Sequence, residues 1–324
     1  MRRFQKILVW VVSDSPRQTA VGCAARLAEQ NGAAVKLITV VEDLPWYTHR
    51  LLPTAKELQA LLVKDRSESL EKLASSLRQA RIEVSAKVLT GRPYLETIRE
   101  VLRDGHDLVL KEAEPNTRVR FGSVDMHLLR NCPCPVWLVR PDHGDQPIRR
   151  ILAPVDPAPA PDQADVLRLT TDRSPQEEAL DDRILELATS LAESEGGELH
   201  ILHAWSAPGE GLLRGEVLLS QEQVDDYVEG MRTEARNALD RLIAKYPAGP
   251  GRRFVHLIKG DAAGVIVEFA RTNHVDLIVM GTVVRTGIPG FPIGNAAETV
   301  LQQVDCSILA VKPDGFVSPI SLDD

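Results

Sequence analysis

The chain has 324 residues, enough for two domains of roughly 150 residues each by the usual range of domain sizes. With 44% hydrophobic and 26% charged residues it has the composition of a globular protein, and its net charge of −8 argues against a nucleic-acid partner, which requires clustered lysine and arginine. No run of about 18 or more apolar residues is present, so neither a membrane-spanning helix nor a membrane partner is predicted.

The first residues, MRRFQKILVWVV, combine basic and apolar residues as a secretory signal peptide does. Ser13 and Asp14 end the apolar run early, however, and no small-residue cleavage pattern follows, so we predict a first β-strand instead. The four cysteines are too few and too scattered for a disulfide framework and fit a reducing compartment. We therefore expect a cytoplasmic protein.

The second half of the chain repeats the first. Three matched blocks occur in the same order: KILVWVVSDSP (6–16) with RILAPVDPAP (150–159), residues 88–110 with 257–279, and CPVWLVRPD (134–142) with CSILAVKPD (306–314). In the second pair, Gly91 and Gly260 each precede an aspartate, Asp107 or Asp276, by sixteen residues, so the register is kept without a gap. Such a pattern indicates a tandem duplication. We predict domain 1 over residues 1–141, domain 2 over 148–314 and a tail over 315–324, with PDHGDQP (141–147) as the linker.

Each copy alternates short Val/Ile/Leu-rich strands with helices. In domain 2 the predicted strands are 149–155, 198–205, 252–259, 275–281 and 306–312. Their nearly continuous apolar character is typical of parallel strands buried on both faces. Helix starts are predicted at Ser174-Pro175 and at Ser220 with Gln223, a capping box, and long helices at 54–80 and 220–246. The fold class is therefore α/β, with two tandem doubly wound domains, each a five-stranded parallel sheet flanked by helices. Ligands of such sheets bind beyond the carboxyl ends of the strands.

The segment VMGTVVRTGIPGFPIGNAAE (279–298) joins a predicted strand to the last helix. Glycines at such a point let an anion approach backbone N–H groups, and the helix start attracts negative charge. Asn295 with Glu298 also reads as a capping box, which would make the same residues an optimised helix start. Both interpretations remain open from the sequence.

The strand order, the tandem copies and the motifs MGTVVRTG, GNAAE and VKPD resemble the universal stress protein family, in its tandem-domain form. Members that bind nucleotide carry Gly, two residues, Gly, nine residues, then Gly followed by Ser or Thr. Here Gly281 and Gly294 match, whereas Val284 and Asn295 replace a glycine and a hydroxyl residue. The resemblance implies that Asp156, at the end of the first strand of domain 2, approaches the nucleoside.

The resemblance implies a candidate adenine-nucleotide site in domain 2, with ATP as the cofactor and weak affinity because of the two departures. Its residues are Asp156, Gly281, Thr282, Arg285, Gly294 and Asn295. In domain 1 the corresponding pattern is degenerate: Val12 replaces Asp156, Glu112 replaces Gly281, and Gly122 and Ser123 are all that remains of the motif. A carboxylate at the mouth of the site would repel phosphate, so we predict no nucleotide in domain 1.

In the family, single-domain members pair through their last strands. The resemblance therefore implies that Val136–Arg140 and Ser307–Lys312 pair within this chain as an intramolecular pseudo-dimer, and leaves a further homodimer open.

Other candidates are weaker. His200 and His203 point to opposite faces of one strand, whereas His200 and His256 become neighbours if their strands pair, a minimal set for a metal. The Cys132-Pro133-Cys134 sequence favours packing over redox chemistry. Leu58, Leu61, Leu62, Leu70, Leu73 and Leu77 form an apolar stripe typical of a core-facing helix.

No motif of a P-loop hydrolase, serine hydrolase or zinc protease is present, so no enzyme is predicted. The first functional hypothesis is a non-enzymatic protein for survival of stress such as DNA damage, as the resemblance implies. The second is a carrier or sensor of a small apolar or lipid-like ligand between the domains, suggested by Trp10 and Val12. The third is a weak ATP hydrolase.

Overall fold

The computed structural model describes residues 4–12, 18–44, 54–114, 121–141, 146–158, 175–215, 220–246, 251–282 and 293–322. The described strands are β1 (Lys6–Trp10), β2 (Ala34–Val41), β3 (Val84–Thr90), β4 (Leu108–Glu112), β5 (Val136–Val139), β6 (Arg150–Pro154), β7 (Glu198–Trp205), β8 (Arg252–Lys259), β9 (Leu277–Gly281) and β10 (Ser307–Val311). The described helices are α1 (Thr19–Asn31), α2 (Ala55–Gln79), α3 (Pro93–Asp104), α4 (Ser123–Asn131), α5 (Pro175–Glu195), α6 (Glu210–Gly215), α7 (Gln221–Ala244), α8 (Ala262–Thr272) and α9 (Asn295–Gln303).

The ten strands form one sheet in the order β3-β2-β1-β4-β5-β10-β9-β6-β7-β8. Every neighbouring pair is parallel except β5 and β10, which pair antiparallel with Leu138 opposite Ile308 and Trp137 opposite Leu309. The sheet therefore consists of two parallel halves with the same strand order, joined at their last strands. The predicted α/β fold and the predicted intramolecular pairing are both confirmed.

Helices cover both faces of this sheet, and each face has its own continuous apolar core. Helices α1, α2, α5 and α7 pack on one face, and α3, α4, α8 and α9 on the other. Side chains alternate between the faces along each strand, so Trp137 enters the first core while Val136 and Leu138 enter the second. Both cores run across the β5–β10 junction, which makes the two halves one packed body. None of the described helices is long and apolar enough to cross a membrane.

The matched aspartates have the same structural role in both halves. The Asp107 carboxylate accepts hydrogen bonds from two backbone N–H groups at the start of β1, and Asp276 does the same at the start of β6. The donors are Gln5 and Lys6 in the first case and Arg149 and Arg150 in the second, at 2.7 to 3.1 Å. The repeat noticed in the sequence is thus a repeat of local hydrogen bonding.

Two predicted helix starts have different outcomes. At α7 the capping box is present: the Gln223 N–H donates to Ser220 Oγ at 3.2 Å, and the Ser220 N–H donates to Gln223 Oε1 at 2.9 Å. At α9 the predicted Asn295–Glu298 capping box is wrong. The N-cap is Gly294, whose extended backbone carbonyl accepts from the Glu298 N–H at 2.8 Å, and Asn295 is already the first helical residue.

The leucine stripe of α2 is buried only in its second half. Leu70 and Leu77 lie in the core, whereas Leu58, Leu61 and Leu62 are 45%, 63% and 38% exposed. The interpretation of these three as core residues is therefore wrong, because their side chains remain in contact with solvent. In the second half of the chain, the unpredicted helix α6 packs against the matching helix α7.

The C-terminal segment leaves domain 2 and runs over helices of domain 1. Ser318 Oγ donates to the carbonyl of Asn131 at 2.8 Å, and Arg99 Nε donates to the carbonyl of Ser321 at 3.3 Å. Ile320 packs against the second core. This segment therefore adds a second connection between the halves.

Candidate functional site

The candidate site in domain 2 lies at the carboxyl ends of β6 and β9, which are neighbours in the sheet. Asp156 follows β6, and its side chain is 54% exposed. Gly294 and Asn295 open helix α9 at the same edge, where Gly294 is half-buried and Asn295 exposed. The structure thus brings these three predicted residues to one edge of the sheet.

Asp156 is anchored through its backbone. Its N–H donates to Asp181 Oδ1 at 3.2 Å. The buried ring of His203 lies underneath, with Nδ1 3.1 Å from the carbonyl of Val155 and 3.9 Å from Asp156 Oδ1. The side chain of Asp156 is therefore accessible to a ligand on its exposed side, and the His203 ring lies on its buried side.

Gly281 lies in close contact with helix α5. A Cβ atom at this position would lie 2.5 Å from Cδ2 of Leu180 in α5, a distance that real Cβ contacts do not show. The glycine of the motif therefore allows α5 to pack closely on the end of β9. This requirement is independent of any ligand.

Thr282, predicted to contact nucleotide, is directed into the junction between the halves and is 1% exposed. Its Oγ1 donates to the carbonyl of Leu129 at 3.3 Å and accepts from Lys312 Nζ at 2.9 Å. Lys312 Nζ also donates to the carbonyls of Leu129 and Arg130 at the end of α4, at 2.5 and 3.3 Å. Burial lowers the pKa of Lys312 to about 8. Thr282 therefore joins domain 2 to domain 1.

Arg140 makes the reciprocal contact. Its guanidinium donates to the carbonyl of Val304 at the end of α9 at 3.2 Å and lies over the ring of Phe121 at 4.5 Å. Each half thus ends in a basic residue that caps the last helix of the other half. The sequence analysis missed both residues, although the repeated endings VRPD and VKPD were the available indication.

Val284 and Arg285 lie outside the described residues, within the segment 283–292. The geometry of the altered glycine position and of the predicted cationic contact therefore stays a prediction.

In domain 1, Glu112 occupies the position of Gly281 but is 4% exposed. Its Oε1 accepts from the Ala20 N–H at 3.3 Å, in the first turn of α1. A carboxylate is favourable there because the helix start carries partial positive charge. The expectation that Glu112 stands at the mouth of the site is wrong, because its carboxylate is buried against a helix start instead.

Glu114, which the sequence analysis did not single out, covers the remaining glycine of domain 1. A Cβ atom on Gly122 would lie 1.8 Å from Glu114 Oε2, so the glutamate carboxylate occupies the space directly above this glycine. Ser123, the first residue of α4, is exposed, and Val12 is half-buried. The carbonyl of Val12 accepts from Gln18 Nε2 at 3.3 Å.

A buried ion pair completes this arrangement. Lys111 Nζ donates to Asp125 Oδ1 at 2.7 Å, and both side chains are at most 1% exposed. Asp125 Oδ2 accepts from the N–H groups of Glu114 and Gly122 at 3.0 and 3.1 Å. The ring of Trp10 lies 5.1 Å from Lys111 Nζ. The crevice of domain 1 is therefore closed by its own charged side chains, which disfavours an apolar ligand there.

A model of the universal stress protein family matches this chain twice, over residues 3–140 and over residues 147–312. This chain belongs to the universal stress protein family. Along its whole length it is 28% identical to universal stress protein E of Escherichia coli strain K12, over 331 residues that cover 100% of this chain and 99% of the relative. It is also 28% identical to a universal stress protein E homolog of Haemophilus influenzae, over 96% of this chain and 98% of the relative. The predicted tandem organisation of the family is thereby confirmed.

Solved structures show the same fold. A functionally unknown protein from Pseudomonas aeruginosa PAO1 superposes with a TM-score of 0.70 at 23% identity, over 96% of this chain and 93% of that chain. A universal stress protein from Archaeoglobus fulgidus superposes with a TM-score of 0.62 at 15% identity, over 95% of this chain and 98% of that chain. These superpositions show that the chain shares its fold with both proteins.

The histidine pair of this universal stress protein is brought together as the strand pairing predicts. His200 Nδ1 lies 3.1 Å from His256 Nε2, and His200 Nε2 lies 3.7 Å from Glu198 Oε2. Phe254 and Phe269 pack around the two rings. Within the described ranges, no group of three or more His, Cys, Asp or Glu side chains is arranged to hold a metal. Burial lowers the pKa of both histidines.

The cysteines of the last-strand motifs are packed inside. Cys132 and Cys134 are buried, with their Sγ atoms 3.6 Å apart. Burial raises the pKa of Cys306, the counterpart of Cys134, to about 12. These environments are those of structural thiols, in agreement with the packing interpretation.

Proposed function

We propose that this chain is a non-enzymatic, cytoplasmic stress-response protein in which weak adenine-nucleotide binding is confined to domain 2. Its full-length similarity to universal stress protein E supports the general role. The difference between two helix starts, those of α4 and α9, supports the location of the nucleotide. These helices occupy the same position in the two halves.

The start of α4 is already occupied by groups of the protein. Asp125 accepts from the Gly122 N–H, and Glu114 covers the glycine. A phosphate at this place would have to displace one carboxylate and lie beside another, which like-charge repulsion opposes. Domain 1 is therefore proposed to bind no nucleotide.

The start of α9 lacks the corresponding carboxylates in the part of the chain that the structure describes. No side chain of the described residues caps this helix, and the residue matching Asp125 is Ala297. The first backbone N–H groups of a helix attract phosphate when no side chain takes them. The exposed Asp156 lies at the same edge of the sheet, where it would contact the nucleoside. The uncapped start of α9 among the described residues, together with Asp156, is the observation that supports the proposal.

Equilibrium dialysis with ATP tests this proposal. We expect one weak site per chain, abolished by Gly294→Arg, which places a bulky side chain at the helix start. Asn295→Ala and Ser123→Ala form a matched pair at equivalent positions: the first is expected to weaken binding and the second to leave it unchanged. Absence of binding at millimolar ATP would contradict nucleotide use, and binding retained by Gly294→Arg would contradict its location.

The absence of catalysis is a separate part of the proposal. Asp156 has an imidazole, His203, 3.9 Å away, which is the arrangement that a weak hydrolase would use. The proximity of His203 Nδ1 to the carbonyl of Val155 supports a structural role for that ring. We expect purified protein to release no phosphate from ATP above the uncatalysed rate. Turnover that is lost in Asp156→Ala while ATP binding remains would establish the hydrolase instead.

The stress role can be tested in cells that lack their own copy of this protein. We expect expression of this chain to restore survival after DNA damage. Comparison with the Gly294→Arg variant then tells whether the nucleotide site contributes to that survival. No restoration at normal expression would contradict the proposed role.

A further inference from the structure

A second cleft lies between the two halves, on the face of the sheet covered by α1 and α5. Its volume is ≈ 920 Å³, within the usual range for small-molecule sites. Cys23 and Arg26 of α1 line one side, Trp137 of β5 lies at its base, and the amino ends of the domain 2 strands line the other side. Because the candidate nucleotide site lies at the carboxyl ends of those strands, the two sites are separate.

The pairing of two similar halves does not by itself produce this cleft. The pseudo-equivalent groove is lined by Phe4, Leu27, Leu187, Ser190 and Leu191, among others, and has a volume of ≈ 240 Å³. Phe4 occupies the position that Ile148 holds in the open cleft, and Ser190 the position of Arg26. The smaller groove has no arginine or lysine in its lining, whereas four arginines line the larger one.

Three of the four acidic side chains that line the open cleft, those of Asp276, Glu195 and Glu198, have partners within the protein. The Asp276 carboxylate accepts from two backbone N–H groups. Glu195 accepts from the Ile148 N–H at 3.3 Å, and Glu198 pairs with Arg252 at 2.6 Å. Their negative charge is therefore largely engaged by the protein itself.

Two donors in the cleft remain without a partner in the part of the chain that the structure describes. Arg149 is exposed, and its guanidinium makes no described ion pair or hydrogen bond. Trp137 is 1% exposed, and its Nε1–H has no hydrogen-bond acceptor among the described residues. A buried donor without an acceptor is unfavourable, so the indole N–H favours a ligand that accepts a hydrogen bond. The exposed Arg149 guanidinium favours an anion as that acceptor.

His274 adds a third, independent observation. It lines the cleft with a backbone φ of 49°, in the left-handed region that side chains other than glycine rarely adopt. The matching residue of domain 1 is Gly105, with a φ of 66°, which adopts this conformation without strain. His274 keeps a strained backbone at a position where domain 1 has an unstrained glycine. This difference indicates a role for the His274 side chain.

We propose that this interdomain cleft binds a small organic anion, through a carboxylate or phosphate group held by Arg149, His274 and the Trp137 indole N–H. Because an ordinary arginine contact to such a group is charge-assisted, Arg149 contributes most of the affinity. The proposal is independent of nucleotide binding in domain 2.

Isothermal titration calorimetry of the full chain with pyrophosphate and, separately, with citrate tests it. The Gly294→Arg variant serves as the parent so that the candidate nucleotide site does not contribute. We expect one site for at least one probe, and the better probe tells whether phosphate or carboxylate is recognised. Arg149→Ser is expected to weaken binding by about ten-fold, which corresponds to the loss of one charge-assisted contact. Arg236→Ser, a charge-matched change on α7 outside the cleft, is expected to have no effect.

His274→Gly separates binding from folding. We expect it to weaken binding while the thermal midpoint stays the same or rises, because glycine relieves the backbone strain. A purely structural role would leave binding unchanged. The proposal is overturned if neither probe binds at millimolar concentration, or if Arg149→Ser and His274→Gly both bind as tightly as their parent.

Discussion

The two crevices occupy the same place in the two halves but have opposite interiors. Beneath the crevice of domain 1 lies the ion pair of Lys111 and Asp125, whereas the matching residues of domain 2 are the buried apolar Met280 and Ala297. In domain 1 the aspartate accepts from N–H groups at the start of a helix, and in domain 2 no described side chain caps the equivalent start. In domain 1, interactions within the protein thus occupy groups whose counterparts in domain 2 have no such partner among the described residues.

Three further matched positions also carry charged side chains in domain 1 and uncharged or aromatic side chains in domain 2. In domain 1, Lys36 and Lys87 on adjacent strands bind the fully buried carboxylate of Glu100 at 2.5 and 2.9 Å. The matching residues of domain 2 are His200, His256 and Phe269, which form an aromatic cluster. An ionic triplet and a ring cluster therefore support the same strand pair and helix in the two halves.

The largest effect is expected from Asp125→Ala, which leaves the buried Lys111 without its main carboxylate. Loss of one partner from a buried pair destabilises by about 3–5 kcal/mol, so chemical unfolding should show a decrease of that order in the free energy of unfolding. The double variant Lys111→Met with Asp125→Ala installs the domain 2 pair and should recover most of this loss. Equal instability of the single and double variants would show that the pair does not act as a unit.

A smaller loss is expected from Gly281→Ala, which puts a methyl group against Leu180 at the end of β9. Overpacking of this kind costs about 1–3 kcal/mol, measurable by the same unfolding experiment. In a Leu180→Ala background the same change should cost much less, because the colliding side chain has been removed. If the penalty is equal in both backgrounds, the glycine is needed for another reason.

The smallest effect concerns pH. Because burial lowers the folded-state pKa of His200 and His256, the unfolded chain takes up their protons first. Their contribution to stability is therefore present above the unfolded pKa near 6.5 and is lost as pH falls below it, by at most about 1.4 kcal/mol per pH unit for each histidine. The charge of Glu198 opposes the lowering of the His200 pKa, and the charges of Arg150 and Arg252 strengthen it.

The ionic triplet of Lys36, Lys87 and Glu100 in domain 1 loses its contribution to stability at a lower pH. Although burial opposes it, the lysines hold the pKa of Glu100 below its usual value of 4.5, so this contribution persists until more acidic pH. Between pH 7 and 5 we therefore expect hydrogen exchange to increase first around β7 and β8. The His256→Gln variant should show a flatter dependence of stability on pH, and an unchanged slope would contradict the assignment.

Secondary structure and domain architecture could be predicted from the sequence because they depend on local patterns. The five predicted strands of domain 2 agree with β6 to β10 to within two residues at each end, and both long helices are present. The pairing of Val136–Val139 with Ser307–Val311 was implied by the family resemblance and is present. The unpredicted helix α6 has only six residues, too short for a periodic pattern.

The side-chain roles at the candidate site could not be predicted to the same extent. Asp156, Gly294 and Asn295 reach the expected edge because the ends of parallel strands determine where loops meet. Thr282 was assigned to the ligand, but it donates across the junction to the carbonyl of Leu129, a residue 153 positions away in the chain. Glu112 was placed at the mouth of a crevice but is buried on a helix start.

By itself, the sequence determined that this protein has two similar α/β halves, where their strands and helices lie, and which copy keeps more of the family's glycines. Only the tertiary structure decided that the crevice of domain 1 is filled by Glu114 and the Lys111–Asp125 pair, and that Arg140 and Lys312 each cap a helix of the other half. The physical reason is that hydrophobic periodicity and turn formation depend on residues that are neighbours in the sequence. Whether a buried charge meets a ligand or a partner from the same chain depends on side chains that only folding brings together.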